Sequence, residues 1–449
     1  MNTSDRPTDE LIQAAFERRA QRGDLAGLRE IIEGHVAATQ QRLPWRARLD
    51  ILFTTPNRRP ASVALLLVLG LLVAALAIAI VGQRLRTPLR SGTWTPAANM
   101  LQARWGSSAT LLLDGAVLVP GGWGAAPGNV APGPILASCE LYDPSIGAWT
   151  ATSRMHDPRV DFAAARLSDG TVLVAGGKNW PSYAALDSAE IYDPGTGSWA
   201  SVGRMTEARA GFSATSLSDG RVLVVGGYKD STTSFGPNAS AELYDSISRS
   251  WTAPSTMLEA RVGFTATLLG SGKVLVAGGN TTLYGPATAT AELYDPATGS
   301  WARTGSMLEA RAAASATLLP DGEVLVAGGH RGSGSHEDAV ASAELYSPSS
   351  GTWTATGTMI APDAFLTSTL LLDGRVLVAG GYKNDTPAPD RPELYDPIAR
   401  SWTLTGAGFL PTTGPGATLL LDGRVLLAGG SVIGNAINTA QIYDPAGGT

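Results

Sequence analysis

The sequence predicts an all-β fold, a seven-bladed β-propeller, on three observations. A motif of about 50 residues occurs seven times. A complete copy contains segments typical of four short strands. The last copy lacks one of these segments, and the matching segment occurs before the first copy. The motif is marked by Gly-Gly pairs at 121, 176, 226, 278, 328, 380 and 429 and by tryptophans 27 residues earlier, at 94, 149, 199, 251, 301, 353 and 402. Repeats of this length are typical of propellers and solenoids.

One repeat, beginning at residue 209, illustrates the four strands. The segments "GFSATSL" and "RVLVVGG" flank Asp219-Gly220. An Asp-Gly between two such segments predicts a tight hairpin, because glycine adopts a positive φ without steric cost. The segments "ASAELYD" and "SWTAPSTM" then predict the third and fourth strands. Four short antiparallel strands per repeat make one propeller blade.

The two ends of the repeat region predict how the ring closes. Six tyrosines precede a tryptophan by seven residues, but Tyr443 has no tryptophan after it before the chain stops at Thr449. The missing strand occurs at the start, in "GTWTPAANM", residues 92–100. Pairing the two ends removes exposed sheet edges. We therefore expect a seven-bladed propeller over residues 92–449, closed by the N-terminal strand.

Only one loop of the repeat varies in length. The distance from the first glycine of the pair to the tyrosine ranges from 14 to 21 residues, whereas the other spacings are constant. Variable loops on a fixed scaffold are frequent binding sites, and aromatic groups among mixed charges suit peptides or glycans. Alternatively, about half of these side chains only cover the blades. The candidates are Trp123, Lys178, Trp180, Tyr228, Lys229, Tyr284, His330, Arg331, His336, Glu337, Tyr382 and Lys383.

Arginines recur on the connections between blades and form a second set of candidates. At equivalent positions they would form a ring able to bind an anion at the channel mouth; alternatively, they pair with acids between blades. The ring is interrupted at Asp363 and Thr413. We interpret the acids two residues before each tyrosine as acceptors for backbone N–H groups or an arginine. The arginines are Arg104, Arg159, Arg209, Arg261 and Arg311, and the acids are Glu140, Glu190, Glu242, Glu292, Glu344 and Glu393, with Gln441 in the last repeat.

The Gly-Gly pair, the tyrosine and the tryptophan seven residues later resemble the kelch repeat. The resemblance covers residues 93–449 and implies four-stranded blades. Kelch relatives include copper-radical oxidases, which need two histidines, two tyrosines and a cysteine, with one liganding tyrosine followed directly by histidine. This chain has no Tyr-His pair, and Cys139 is its only cysteine. We therefore expect no catalytic residues, no metal and no cofactor, although His330 and His336 share a loop and could contact an adventitious metal ion.

A membrane segment is predicted before the propeller. Residues 61–82 begin with "ASVALLLVLGLLVAALAIAIV", an uncharged run long enough to cross a bilayer. Because 60 residues precede it, a retained helix is favoured over a signal peptide. Residues 83–91 would be a linker. Arginines flank both sides, and the positive-inside rule favours a cytoplasmic N-terminus with the propeller outside the cytoplasm.

The first 60 residues predict a small helical cytoplasmic domain that could bind a partner. Thr8 and Asp24 are suited to begin two short helices. This arrangement is similar to anti-sigma-factor heads, many of which contain a His-x3-Cys-x2-Cys zinc motif. Here His35 is followed at those spacings by Thr39 and Arg42, so no zinc site is expected. The alternative is an amphipathic anchor at the membrane interface.

These observations favour a single-pass membrane protein that presents a binding or sensing propeller to a protein or glycan, with the variable loops pointing away from the membrane. Two alternatives stay open: a carbohydrate-active enzyme, and a signalling regulator whose head sequesters a transcription factor. The net charge of −6 argues against nucleic-acid binding. Arginine far outnumbers lysine, a composition typical of bacterial genomes rich in G and C.

Overall fold

A computed structural model describes one of the two compact units into which the chain divides, Arg90–Thr449. The predicted head, membrane segment and most of the linker lie outside the described residues. Within the described part, no helix is long and apolar enough to cross a membrane. The described residues are 90–449 without 127–132, 180–181, 183, 232–233, 253–254, 283–284, 333–337, 384–385, 388–391, 433 and 448–449.

Seven antiparallel sheets confirm the predicted all-β propeller, and the described elements are strands. Each blade is given from its innermost strand outward. Blade 1 contains Thr110–Leu111, Val117–Pro120, Cys139–Asp143 and Ala148–Thr152. Blade 2 contains Ala163–Arg166, Val172–Ala175, Ser188–Asp193 and Ser198–Arg204. Blade 3 contains Ser213–Ser216, Val222–Val225, Ser234–Asp245, Ser250–Trp251 and Ser255–Arg261. Blade 4 contains Thr265–Leu268, Val274–Ala277, Ala291–Asp295 and Ser300–Thr304. Blade 5 contains Ser315–Leu318, Val324–Ala327, Ala343–Ser347 and Thr352–Ala355. Blade 6 contains Ala364–Leu370, Val376–Lys383, Glu393–Asp396 and Ser401–Leu404.

Blade 7 joins the two ends of the ring, as the repeat count predicts. Its inner strands are Gly416–Leu419, Val425–Ala428 and Ala440–Asp444, and its outermost strand is Thr93–Pro96. Trp94 pairs with Tyr443 in the register that Trp149 and Tyr142 adopt within blade 1. Short strands complete the loops: Arg104–Trp105 with Trp123–Gly124, Tyr228–Ser231 with Ser234–Asp245, Thr386–Pro387 with Val376–Lys383, and Ser431–Val432 with Asn435–Ala436.

The hydrophobic core lies between blades rather than within them. In one cluster Val222 and Val224 of blade 3 pack with Leu173 and Ile191 of blade 2. The tyrosine and tryptophan of each repeat are partners across the two outer strands, with ring centroids 5.0 to 5.1 Å apart. Several tryptophans also donate a hydrogen bond to the preceding blade, as Trp199 does to the carbonyl of Ser153 at 2.9 Å. These contacts explain why every repeat needs both rings.

The Gly-Gly pair marks a close backbone crossing between neighbouring blades. Gly176 and Gly177 have φ values of 59° and 92°. The N–H of Gly177 donates to the carbonyl of Arg209 at 2.9 Å, and a Cβ on Gly176 would lie 2.6 Å from that same oxygen. Only glycine satisfies both the positive φ and the close approach.

The propeller has two different faces. We call the side with the Gly-Gly loops and the blade-to-blade connections the loop face, and the side with the Asp-Gly hairpins and the turns after the third strands the turn face. Arg90 lies on the turn face, where Nη1 of Arg375 donates to its carbonyl at 2.6 Å and its own Nη1 donates to the carbonyl of Ala446. The chain therefore enters the propeller from the turn face, beside the closing strand.

Candidate functional site

The five equivalent arginines are buried between blades. Arg209, which has no exposed surface, lies on the connection from blade 2 to blade 3. Its carbonyl accepts the Gly177 N–H of blade 2, whereas Nη1 donates to the carbonyls of Gly226 and Ser240 in blade 3 at 3.3 and 2.9 Å. Its Nη2 lies 2.8 Å from Oε1 of Glu242. Arg104, Arg159, Arg261 and Arg311 form the same ion pair with Glu140, Glu190, Glu292 and Glu344 at 2.6 to 2.8 Å.

The glutamate partners are satisfied by the backbone as well. Glu242 accepts the N–H groups of Thr206 and Glu207 at 2.7 and 3.2 Å. Since each guanidinium is engaged by a carboxylate and two carbonyls in the interior, the arginines do not form an open anion site at the channel mouth. The contacts correspond to the alternative interpretation, pairing with acids between blades.

Blade 7 replaces this ion pair with neutral groups. The position equivalent to the arginines is Thr412, not Thr413 as expected from the sequence, because it precedes the Gly-Gly pair by the same 17 residues. The Thr412 hydroxyl donates to the carbonyl of Gly429 at 3.0 Å. Gln441, in place of the glutamate, accepts the N–H of Leu410 at 2.7 Å and donates to its carbonyl at 2.8 Å. The cation and the anion are thus replaced together, which avoids an unpaired buried charge.

Blade 6 keeps the glutamate but has Asp363 at the arginine position. Glu393, 4% exposed, accepts the N–H groups of Ile360 and Ala361 at 2.8 and 3.0 Å. Burial raises the pKa of this carboxyl, and the two backbone N–H groups only partly oppose that effect. For Glu190, burial also acts upward, but the His156 N–H and the charge of Arg159 outweigh it, so its pKa lies below the ordinary value.

We expect Glu393→Gln to stabilise the protein at neutral pH by about 0.5–2 kcal/mol. A carboxyl whose pKa is higher in the folded protein than in the unfolded chain binds its proton more tightly in the folded protein. Loss of that proton, as the pH rises through the folded-state pKa, therefore lowers the free energy of unfolding. The advantage of glutamine should therefore disappear below the ordinary pKa of glutamate. Denaturant unfolding at several pH values measures this. In the matched control, Glu190→Gln should destabilise at neutral pH, and a stabilising effect there would contradict the argument.

The variable loops begin with a second ring of residues on the loop face. The residue after each Gly-Gly pair forms a β-bridge with the residue after the arginine position, as His330 does with Ala312. This pairing brings most of the aromatic candidates to equivalent positions. The pairs are Trp123–Trp105, Lys178–Val160, Tyr228–Ala210, Asn280–Val262, His330–Ala312, Tyr382–Ala364 and Ser431–Thr413. Sequence reasoning did not select Trp105, Asn280 or Ser431, although aligning the repeats on the Gly-Gly pair would have found them.

The remaining loop candidates divide into two groups. The charged ones that the structure describes are in ion pairs: Lys178 with Asp161 at 2.9 Å, Lys229 with Glu207 at 2.6 Å, and Arg331 with Glu309. Tyr228 also donates to Asp161 at 3.2 Å. Trp180, Tyr284, His336 and Glu337 lie outside the described residues, as do the side chains of Tyr382 and Lys383.

An inner ring is formed by the residues two positions after each arginine position. Three neighbouring pairs are joined by backbone hydrogen bonds, such as that from the N–H of Phe365 to the carbonyl of Ala313 at 2.9 Å. All seven have a positive φ: Gly106, Asp161, Gly211, Gly263, Ala313, Phe365 and Gly414. Phe365, with φ of 59°, has the largest side chain of the seven and is 45% exposed. A non-glycine residue in this conformation costs about 1–3 kcal/mol, and such strain clusters at functional sites.

A cavity of about 460 Å³, which we call the ring pocket, opens beside Phe365. Aromatic pairs flank it on two sides. The rings of Trp105 and Trp123 are stacked 6.2 Å apart, and those of His330 and Phe365 are 5.9 Å apart. The lining residues are Trp105, Gly106, Phe365, Thr413, Gly414, Ser431 and Gly434.

Exposed aliphatic side chains recur at equivalent positions on the connections to five of the seven blades. Their exposed fractions lie between 47% and 66%, and their N–H groups donate to the glutamates or glutamine described above, which fixes the side chains outward. We call these residues the aliphatic rim. They are Leu101, Leu258, Leu308, Ile360 and Leu410.

Residues suited to metal binding or nucleophilic chemistry are not gathered on this face. Within the described part of the chain, no three His, Cys, Asp or Glu side chains are grouped so as to hold a metal ion. Cys139 lies in the core with Leu112 and Leu118, and burial raises the pKa of its thiol to about 11. A thiol with that pKa is protonated at neutral pH and is therefore a poor nucleophile.

Comparisons with known proteins agree with this architecture. The family profile described as "Kelch motif" matches residues 160–206 and 311–360. Among curated proteins, none matches the sequence. A solved fungal alcohol oxidase of the AA5 family, in complex with copper, is 20% identical, with a TM-score of 0.64 over 79% of this chain and 77% of that one. The structure of YjhT is 17% identical, with a TM-score of 0.52 over 69% of this chain and 99% of the other. At these identities the likeness concerns the fold alone.

Proposed function

Because this chain is a kelch-repeat β-propeller, we propose that it is a binding module whose loop face receives a protein partner. The observation that supports this proposal is the apolar character of that face: in addition to the ring pocket, the aliphatic rim leaves five Leu or Ile side chains about half exposed or more. Exposed apolar side chains bordered by polar groups are typical of protein–protein interfaces. The ion pairs of Lys229 and Arg331 supply such a border.

Two variants with matched chemistry test the location of the interface. The full chain is used to capture partners from cells that produce it, with quantitative mass spectrometry as the readout. We expect Leu258→Asp/Leu308→Asp, on the aliphatic rim, to reduce recovery of a specific partner by tenfold or more, since a charge would be buried at the interface. Leu421→Asp, equally exposed but on the turn face, should leave recovery unchanged. Equal recovery of the partner by the parent protein and by both variants would refute the proposal.

We further propose that residues 61–82 anchor the protein in the cell membrane, with the N-terminus cytoplasmic and the propeller extracytoplasmic. The uncharged run in the sequence and the position of Arg90 on the turn face support this arrangement. The turn face also exposes Leu113, Leu372 and Leu421, as a surface near a bilayer can.

Cysteine labelling in intact cells tests the proposed topology. Ser271→Cys, on an exposed turn of blade 4, should react with a membrane-impermeant maleimide, whereas a cysteine introduced at Thr8 should react only after lysis. Cys139 provides the background control, because its buried thiol should stay unlabelled in the folded protein. Labelling of position 8 but not position 271 in intact cells would show the opposite orientation.

A further inference from the structure

We infer that the ring pocket receives one aromatic side chain of the protein partner, inserted between the Trp105–Trp123 and His330–Phe365 pairs. This inference rests on the proposed function, because it specifies which part of a protein partner reaches the inner ring. It concerns different residues from the aliphatic rim, so the two can be tested separately.

The pocket exists because blade 7 has small residues at both ring positions. Ser431 stands where other blades have tryptophan, lysine, tyrosine, asparagine or histidine, and Gly414 is its neighbour on the inner ring. The two flanking connections instead carry Phe365 and Trp105, so a gap with aromatic walls is left between them. A cavity of about 460 Å³ falls within the range of about 300–1,000 Å³ that is common for small-ligand sites, and it can accommodate an indole or phenyl ring.

Several polar groups of the pocket floor are already used within the protein. The hydroxyl of Thr413 donates to the carbonyl of Gly381 at 3.0 Å, and the backbones of Thr413 and Ser431 exchange hydrogen bonds at 3.0 and 2.9 Å. A sugar ring would stack on the aromatic walls but would lose hydrogen bonds to water and could replace few of them, because Thr413 and Ser431 are the lining residues with hydroxyl groups and the Thr413 hydroxyl is already engaged. An aromatic side chain buries a large apolar area and has little or no such requirement, so the lining favours it over a glycan.

The ion pairs of blades 2 and 5, next to the blades whose connections carry Trp105 and Phe365, also favour a neutral occupant. Lys178 is paired with Asp161, and Arg331 with Glu309. A ligand carboxylate or phosphate would have to compete with these carboxylates for the cations. An uncharged ring can enter without disturbing either pair.

The strained backbone of Phe365 is a further argument for a role in binding. Four equivalent positions on the inner ring are glycines, which adopt the positive φ freely, and Phe365 is nearly half exposed. The positive φ of Phe365 is unfavourable, and the burial of its side chain within the propeller is too limited to explain why a phenylalanine stands there. The geometry is explained if the exposed part of the ring packs against a partner.

Binding of small probes to the full chain tests the inference, with saturation-transfer NMR as the readout. We expect N-acetyl-L-tryptophanamide to bind with a dissociation constant in about the millimolar range, consistent with its size. Methyl β-D-glucoside should show no transfer. Failure of the indole probe to bind, or preferential binding of the glucoside, would overturn the inference.

Two variants change the pocket without a large change of fold. Phe365→Gly removes one wall and relieves the positive φ, and Ser431→Tyr fills the gap with the residue found at the equivalent position 228. Each should weaken probe binding at least fivefold, and Phe365→Gly should not lower the melting temperature, because it relieves the positive φ. Full binding by both variants would refute the proposed site.

A third protein separates this inference from the proposed function. The rim variant Leu258→Asp/Leu308→Asp should bind the indole probe like the parent while losing the protein partner. If the rim variant loses the partner but the parent does not bind the probe, the interface stands and the aromatic occupant is refuted. If the parent binds the probe but no loop-face substitution affects partner recovery, the pocket stands as a ring-binding site, and both its assignment to a protein partner and the proposed function are refuted.

Discussion

Arg209→Met is expected to lower the free energy of unfolding by about 3–5 kcal/mol. The guanidinium of Arg209 is fully buried and attaches the connection between blades 2 and 3 to blade 3, through Glu242 and two carbonyls. Methionine keeps much of the apolar volume but leaves the carboxylate of Glu242 buried with only its backbone donors. Denaturant unfolding monitored by tryptophan fluorescence measures the loss.

A double variant shows whether the unpaired charge is the cause. Arg209→Met/Glu242→Gln imitates blade 7, where Thr412 and Gln441 occupy the two positions without charge. We expect the double variant to recover at least half of the stability lost by the single one, because the buried charge is removed and the amide can still accept a backbone N–H. Equal destabilisation by both variants would show that the carbonyl contacts of the arginine, rather than the ion pair, are decisive.

Trp94→Ala should destabilise the closing blade by about 3–5 kcal/mol. The indole of Trp94 is 5% exposed, lies 4.9 Å from the ring of Phe409 and 5.0 Å from that of Tyr443, and donates to the Thr405 hydroxyl at 3.0 Å. These contacts hold a strand that comes from the other end of the chain. Their loss should open the ring at this seam, which hydrogen exchange would detect as faster exchange in Ala440–Asp444.

Trp251 offers a matched control within the ring. It contacts Tyr244 at the same centroid distance of 5.0 Å, but it is only partly buried, and its indole N–H has no hydrogen-bond partner among the residues that the structure describes. Its blade is also continuous in sequence. Trp251→Ala should therefore cost less and leave exchange at Ala440–Asp444 unchanged. An equal or larger effect of Trp251→Ala would contradict the view that the seam depends on Trp94.

The fold was predictable because its determinants are local and repeated. The Asp-Gly hairpins, the Gly-Gly crossings and the tyrosine–tryptophan pairs are each set by a few residues at constant spacing, so seven copies reinforce one interpretation. The closing strand followed from counting tyrosines against tryptophans. Pairing of the arginines with acids was one of two open alternatives, and in blades 1 to 5 the partners are the acids two residues before the tyrosines.

The candidate site was predicted only in part, because it depends on distances that cross the ring. Trp123 and His330 were selected as aromatic and polar loop residues, but nothing in the sequence indicated that each lies against a second ring. Phe365 and Trp105 belong to connections that we interpreted only through the residue at the arginine position, which is Asp363 in the first case and Arg104 in the second. Their importance follows from the small residues of blade 7, which leave the gap between them.

The sequence by itself determined the number of blades, the strand that closes the ring and the face on which the variable loops lie. These depend on residue periodicity and on the fixed hydrogen-bonding pattern of an antiparallel blade. The tertiary structure decided that the arginines are interior ion pairs and that a pocket opens beside Phe365. Each ion pair joins residues only 31 to 36 positions apart, but its burial depends on how the blades pack. The pocket arises only when the connections of three different blades are brought together, and no single repeat contains that information.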